Sequence, residues 1–465
     1  MSYNVSKAEI ESAGDNTLGG VVVALVFVIL TITIYGILGS QTNVLGQSGF
    51  IQFLTQVVLG GILILLISIF ANYSVLKWVR QNAKQVIFWG FMGTILFFVG
   101  GIFLLGIFLF LSNPFIGGVV LFIAIALGAL AIFFWKAVQR RIDRAARWLS
   151  VASSVVMSEP GMLLMSLAQS VVLTVGAITQ YIVIYSFQYF QADNLSADQM
   201  NNILSIISFF YIWFTFFTLY YFGGVNVHMA YARIKGVDPT IGQGISSATR
   251  KIPSLLLYSL ISTIVQVVTN FGRYSSQTRS QNVFGARNTR DISAAVLGAV
   301  WQIIGGIIRY LYYLVSFFTL PIIIIRRKGA IAAMKESYHY FKNNPWDIII
   351  SDMSFSWGVW SIYLFTSVIS GVAGFVYGTA LTFIYWGGTG YIVIGILFAF
   401  ITFIAGIFIT KLFISPLYTA FTTTIYVYAS EGPDAIAVAP PELITQIESS
   451  MSSPATNAAM ANKFM

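Results

Sequence analysis

The sequence predicts an all-α fold, a polytopic membrane helical bundle of about ten transmembrane helices with three cytoplasmic amphipathic helices lying in the membrane interface. Three observations predict it. Only 9% of the residues are charged and 57% are hydrophobic, whereas water-soluble domains carry about 25% charge, so a soluble globule is excluded. Apolar runs long enough for a helix to cross the hydrocarbon recur from end to end. Between them fall short stretches that hold most of the Lys and Arg.

In chain order, residues 1–17 read as a cytoplasmic N-terminal segment. Lys7 is set there against Glu9, Glu11 and Asp15. Without a basic n-region this is not a secretory signal, so the first apolar run is expected to stay as a span. Spans near 18–39, 50–76, 86–111 and 115–135 make a four-span module over 18–133. Six more, near 162–188, 203–230, 254–272, 303–325, 355–385 and 390–425, fill a core over 134–430. Pro321 and Pro416 fall inside spans and are expected to kink them. From Glu431-Gly432-Pro433-Asp434 the character changes, and 431–465 reads as a disordered or partner-bound tail, too poor in large apolar residues to build a core.

Three basic stretches carry an apolar stripe at helical spacing. Gln139 to Pro160 holds Ile142, Ala145, Leu149, Ala152 and Val156. The second takes Asp238 as N-cap and Pro239 as its first residue, then Ile241, Ile245, Ala248 and Ile252. The third, Arg326 to Pro345, aligns Ile331, Met334, Tyr338 and Phe341. Each ends at a proline, and Pro160, Pro253 and Pro345 are almost equally spaced, which suggests three repeats of span, surface helix and span.

These stretches, with Lys77, Arg80 and Lys84 in 77–85, concentrate the positive charge. The positive-inside rule makes them cytoplasmic, Ser246 and Ser337 included, and places both termini of a multi-pass cell-membrane protein on that side. The candidates for contact with anionic lipid headgroups are Arg140, Arg141, Arg144, Arg147, Arg250, Lys251, Arg326, Arg327, Lys328 and Lys335. The net charge of +9 is explained by this topology, so no nucleic-acid partner is implied. One expected external connection, 273–292, breaks the rule with Arg273, Arg279, Arg287 and Arg290. It is either a solvated loop or a site for an anionic partner.

Chemistry is scarce. With no cysteine and two distant histidines, His228 and His339, there is no metal-ligand spacing. Gly242-Gln243-Gly244 is not followed by the Lys of a phosphate loop, and neither a catalytic set nor a cofactor motif is present. An enzyme is therefore not expected. Polar groups inside the membrane are Asp352, Asn226 and Arg309. Arg309 reads as a snorkelling residue, Asp352 as an interfacial or a ligand-coupling carboxylate. Ser370, Gly374 and Gly378 form a small-residue ridge suited to close helix packing. The many aromatics could line a cation box, but lipid-facing and interfacial roles are commoner and no spacing singles out a cage.

Gly236-Val237-Asp238-Pro239-Thr240 with Gly242 and Gly244, then Phe318-Thr319-Leu320-Pro321, the run Gly329 to Ser337, and Trp346, resemble an uncharacterised prokaryotic family of six-span membrane proteins over about 134–430. The aromatic span Phe209 to Phe222, the surface helix after it, and Leu255 to Val268 are similar to choline-transporter-like proteins, as is a ten-span total. No binding residue carries over from either family. The leading expectation is a non-enzymatic scaffold or accessory subunit that binds protein or lipid partners. The alternative is a transporter for a small or amphiphilic solute, which implies a polar cavity near Asp352 or Asn226.

Overall fold

A computed structural model describes residues 48–191, 196–280, 289–343, 345–386, 391–432 and 435–436. Among them the regular structure is helical throughout, and eight helices are long and apolar enough to cross a membrane. The all-α polytopic bundle is thus observed. The expected span at 18–39 and the tail from 437 on lie outside the described residues. The described residues divide into two compact units: those within 48–160 and 350–418 form one, and those within 161–349 and 419–436 form the other.

In the first unit, α1 (Ser48–Ser112) and α2 (Pro114–Ser158) are separated by Asn113 alone. Asn113 caps α2: its Oδ1 accepts from the N–H groups of Phe115 and Ile116 at 3.2 and 3.3 Å, and Pro114 takes the first helical position, where no N–H is needed. The two helices then run antiparallel in one register. A Cβ on Gly117 would lie 2.2 Å from the Phe110 backbone, and one on Gly106 2.9 Å from Leu121. Farther along, Phe91 meets Trp135 at 4.8 Å and Lys84 pairs with Asp143 at 2.9 Å.

Two expectations change here. The basic stretch 77–85 is a kink rather than an open loop: two helices meet within α1 at Asn82, whose φ of −131° and ψ of 35° leave helical geometry. Likewise 139–158 is no separate surface helix but the continuation of α2, and its stripe of Ile142, Ala145, Leu149, Ala152 and Val156 is buried in protein. Pro160 does not close that helix; it opens α3.

The unit is completed by α10 (Pro345–Trp386), from Ile350 on, and α11 (Tyr391–Glu431), as far as Tyr418. The small-residue ridge lies in their seam. Ser370 faces Gly406, a Cβ on Gly374 would come within 1.9 Å of Thr402 Oγ1, and one on Gly378 within 2.6 Å of Phe398. Ser370 Oγ also shares a 2.6 Å hydrogen bond with Ser68 of α1, and Thr366 one of 2.7 Å with Thr410. Pro416 is accommodated inside a continuous α11.

The second unit contains α3 (Pro160–Gln191), α4 (Ala197–Ile234), α5 (Ile241–Thr249), α6 (Ile252–Ser280), α7 (Thr289–Val315), α8 (Thr319–Ile325) and α9 (Ala330–Asn343). The cap of α5 is Thr240, two residues beyond the expected Asp238. Thr240 and Gln243 satisfy each other's backbone N–H in a reciprocal capping box, which Asp238 cannot build from its position. α5 lies close against α4, since a Cβ on Gly244 would sit 2.9 Å from Val225. α6 extends to Ser280, so part of the expected 273–292 connection is helical; Arg287 lies outside the described residues. Pro253 and Pro345, like Pro160, sit in the first turn of the helix that follows.

The buried face of α9 is Ala330, Ala333 and Ser337, while Ile331 and Tyr338 are 56% and 50% exposed. Small residues let α9 settle onto the protein and turn its larger apolar groups outward.

Candidate functional site

The second unit holds an interrupted span. α7 ends at Val315, residues 316–318 turn, and α8 restarts at Thr319. Pro321 supplies the cause: it has no N–H for an unbroken ladder, but fits the first turn of a new helix. The kink expected there is therefore a full break.

Breaking a helix inside a bundle frees backbone groups that must be satisfied. Ser337 of α9, fully buried, supplies one hydroxyl for two of them: Oγ donates to the Val315 carbonyl at 2.6 Å and accepts from the Phe318 N–H at 3.0 Å. The Ser316 carbonyl takes the Thr319 N–H at 2.9 Å and the Tyr258 hydroxyl at 3.5 Å. Thr319 Oγ1 is buried with no hydrogen bond of its own.

Beside the break, α4, α6 and α7 assemble an aromatic and hydroxyl cluster. Ser262 Oγ donates to the Tyr258 carbonyl at 3.0 Å, so its lone pairs are left for the Tyr220 and Tyr312 hydroxyls, each 2.8 Å away. The rings of Tyr220 and Tyr258 stack at 4.3 Å, and Trp213 Nε1 donates to Ser259 Oγ at 2.9 Å. A signal for this was present in the sequence: Ser259, Ser262, Gln266 and Thr269 recur three or four residues apart on α6 and define a polar stripe.

α3 and α4 form a second polar seam. Asn226 Nδ2 donates to Ser166 Oγ at 3.3 Å, while Asn226 Oδ1 is buried without a partner. Farther along the same pair of helices, a Cβ on Gly176 would lie 2.7 Å from the Phe214 ring, and a groove of about 490 Å³ opens there. It lies at Tyr211 and Gln180, not at Asn226 or Asp352 where a cavity was expected.

The other sequence candidates disperse. Asp352 is buried on α10 in the first unit. On α2, also in the first unit, Arg140 is exposed and Arg141, Arg144 and Arg147 are half-buried. In the second unit Arg309 reaches Thr269 Oγ1, with Nη2 at 3.3 Å. Helices run through Arg273, Arg279 and Arg290, whose side chains are not among those described. Arg250 and Lys335 are exposed.

The remaining basic candidates meet at the strap between α8 and α9. Lys251 Nζ donates to the Arg327 carbonyl at 2.6 Å, and Arg327 adopts a left-handed φ of 55°. Arg326 and Lys328 pair with opposite oxygens of Glu336 at 2.9 and 2.6 Å. Burial works against the Arg326 charge, but Tyr426, Tyr340 and Glu336 outweigh it and hold its pKa above the ordinary value. Burial raises Tyr340, with Arg326 opposing. Nearby, Lys235 and Tyr231 both bond to Glu431 at the end of α11.

Long apolar helices, buried hydroxyl networks and an interrupted span define a polytopic α-helical membrane protein. A family model described as plasma-membrane choline transporter matches residues 119–432, more than half of the chain, which therefore belongs to that family. The match supports the choline-transporter resemblance and gives no support to the uncharacterised six-span one. Among curated proteins, none matches the sequence.

Proposed function

We propose that this chain is a non-enzymatic transporter of a small cationic solute, of the quaternary-ammonium kind that the family description suggests. Of the two functions open from sequence, the family match favours transport over scaffolding. The observation that carries the reading within the structure is the Tyr220, Tyr258, Tyr312 and Ser262 cluster beside the interrupted span. The four candidate spans at 160–187, 202–234, 252–269 and 303–325 contain no Asp or Glu. A cation entering them meets aromatic faces, hydroxyls and the carbonyls of a broken helix instead of a carboxylate. Because Tyr220 and Tyr258 are in stacking contact, binding between them requires the rings to part, which couples occupancy to movement of α4 against α6.

The same proposal places the chain in the cell membrane with both termini and the basic stretches at 134–161, 231–252 and 326–347 on the cytoplasmic side. Each adjacent pair of stretches is separated by two spans, so all three share one face of the membrane. Anionic headgroups are their expected partners, each basic group near the surface contributing about 1 kcal/mol.

Uptake of labelled choline and related amines into proteoliposomes tests transport. Uptake above empty liposomes, lowered by Tyr220→Leu and by Tyr312→Leu, is expected. Background uptake across the amine panel overturns the proposal.

A further inference from the structure

The groove between α3 and α4 has a chemistry distinct from the tyrosine cluster. Its walls include Val175, Val183 and Ile207, and Phe214 stands over Gly176. Three polar side chains also line it: Thr179, whose hydroxyl donates to the Val175 carbonyl at 2.9 Å, and two others, Gln180 and Tyr211. Neither hydrogen-bonds to another described residue. Gln180 lies seven residues inside the Phe187 end of its span and Tyr211 nine inside Asn202, depths of about 10 and 14 Å along a helix. At such depth water is scarce, and an unpaired amide costs several kcal/mol unless something bonds to it.

We infer that this groove binds a single-chain amphiphile from the bilayer, with its hydrocarbon chain along the valine wall and its head hydrogen-bonded by Gln180 and Tyr211. The groove's volume of about 490 Å³ lies within the usual range of about 300–1,000 Å³ for ligand sites. No charged residue lines it, so the head is uncharged and rich in hydroxyls, as in a monoacylglycerol. A fully apolar chain leaves the amide unsatisfied, and a small polar solute has almost no polar wall to meet. The site does not depend on the transport reading, since it can be occupied whether or not a cation is moved.

The test uses the full chain in phosphatidylcholine nanodiscs and a monoacylglycerol with a photoactivatable acyl chain, with adducts mapped by mass spectrometry. Saturable labelling of 171–183 and 207–214, competed by unlabelled monoacylglycerol and not by added phosphatidylcholine, is expected. Val175→Trp fills the groove from an exposed position, and Gln180→Leu with Tyr211→Phe removes the head's partners. Each change is expected to lower labelling by about fivefold or more, with the thermal unfolding midpoint unchanged as the check on folding. Labelling spread evenly over the lipid-facing helices, or equal in wild type and the Gln180/Tyr211 variant, shows bulk lipid contact and overturns the inference.

Discussion

Ser337 and Val315, twenty-two residues apart, are joined by a 2.6 Å hydrogen bond that closes the gap where one membrane span is interrupted. The same hydroxyl receives the Phe318 N–H, so one side chain of a short helix replaces part of a missing backbone ladder. Ser337→Ala leaves a buried carbonyl and a buried N–H unpaired, an expected loss of about 1–3 kcal/mol per group. A clear drop in the unfolding midpoint in detergent is predicted. An unchanged midpoint means that the break is held without Ser337.

The ridge on α10 makes a sharper demand. Gly374→Ala places a methyl where Thr402 Oγ1 stands, whereas Gly118 has open space around its added Cβ. Gly374→Ala should destabilise, Gly118→Ala should not, and Thr402→Ala should recover part of the former's loss, since its Cβ stays 2.8 Å from the added methyl. The coupling expected in a double-mutant cycle is about 1–3 kcal/mol. Strict additivity would remove the contact as the cause.

Ser262 accepts from two tyrosines, so its loss removes a partner from two hydroxyls at once. Ser262→Ala should therefore reduce stability and amine uptake more than Tyr220→Phe or Tyr312→Phe alone. If either single tyrosine change matches it, the serine is not the hub of the cluster.

Ion pairs differ by exposure. Lys84 and Asp143 are 54% and 34% exposed, while Glu336 is 14% exposed and bonds two cations. Asp143→Asn is expected to cost less than about 1 kcal/mol and Glu336→Gln distinctly more. Chemical denaturation of both variants measures the order, and a reversal contradicts it.

Orientation can be read by thiol labelling because the chain has no cysteine. Ser337 is unsuitable, being buried, but Ser246 on α5 is exposed. A cysteine at 246 should react with a membrane-impermeant reagent only from the cytoplasmic side, and external labelling of sealed cells overturns the proposed topology.

Spans were legible because hydrocarbon thickness dictates a length that composition reveals. Contacts between small residues were legible too: Ser370, Gly374 and Gly378 all face α11. What a helix does on leaving its apolar run was not. The stripe from Ile142 to Val156 has the same period whether it meets lipid or protein, and only tertiary packing decides. Thr240 was recoverable, since Thr-Ile-Gly-Gln is itself a capping-box pattern. The partnership of Ser337 with the break was not, because nothing local to Ser337 announces a bond to a different helix.

The single-residue turn at Asn113 bears on how the chain enters a membrane. With no slack between α1 and α2, the end of one helix cannot settle across the bilayer before the start of the other has been synthesised. The two halves must leave the insertion machinery as a preformed pair, Gly106 already against Leu121 and Gly117 against Phe110. A flexible insertion after Asn113 would uncouple them and turn one insertion event into two, each helix then depending on its own hydrophobicity.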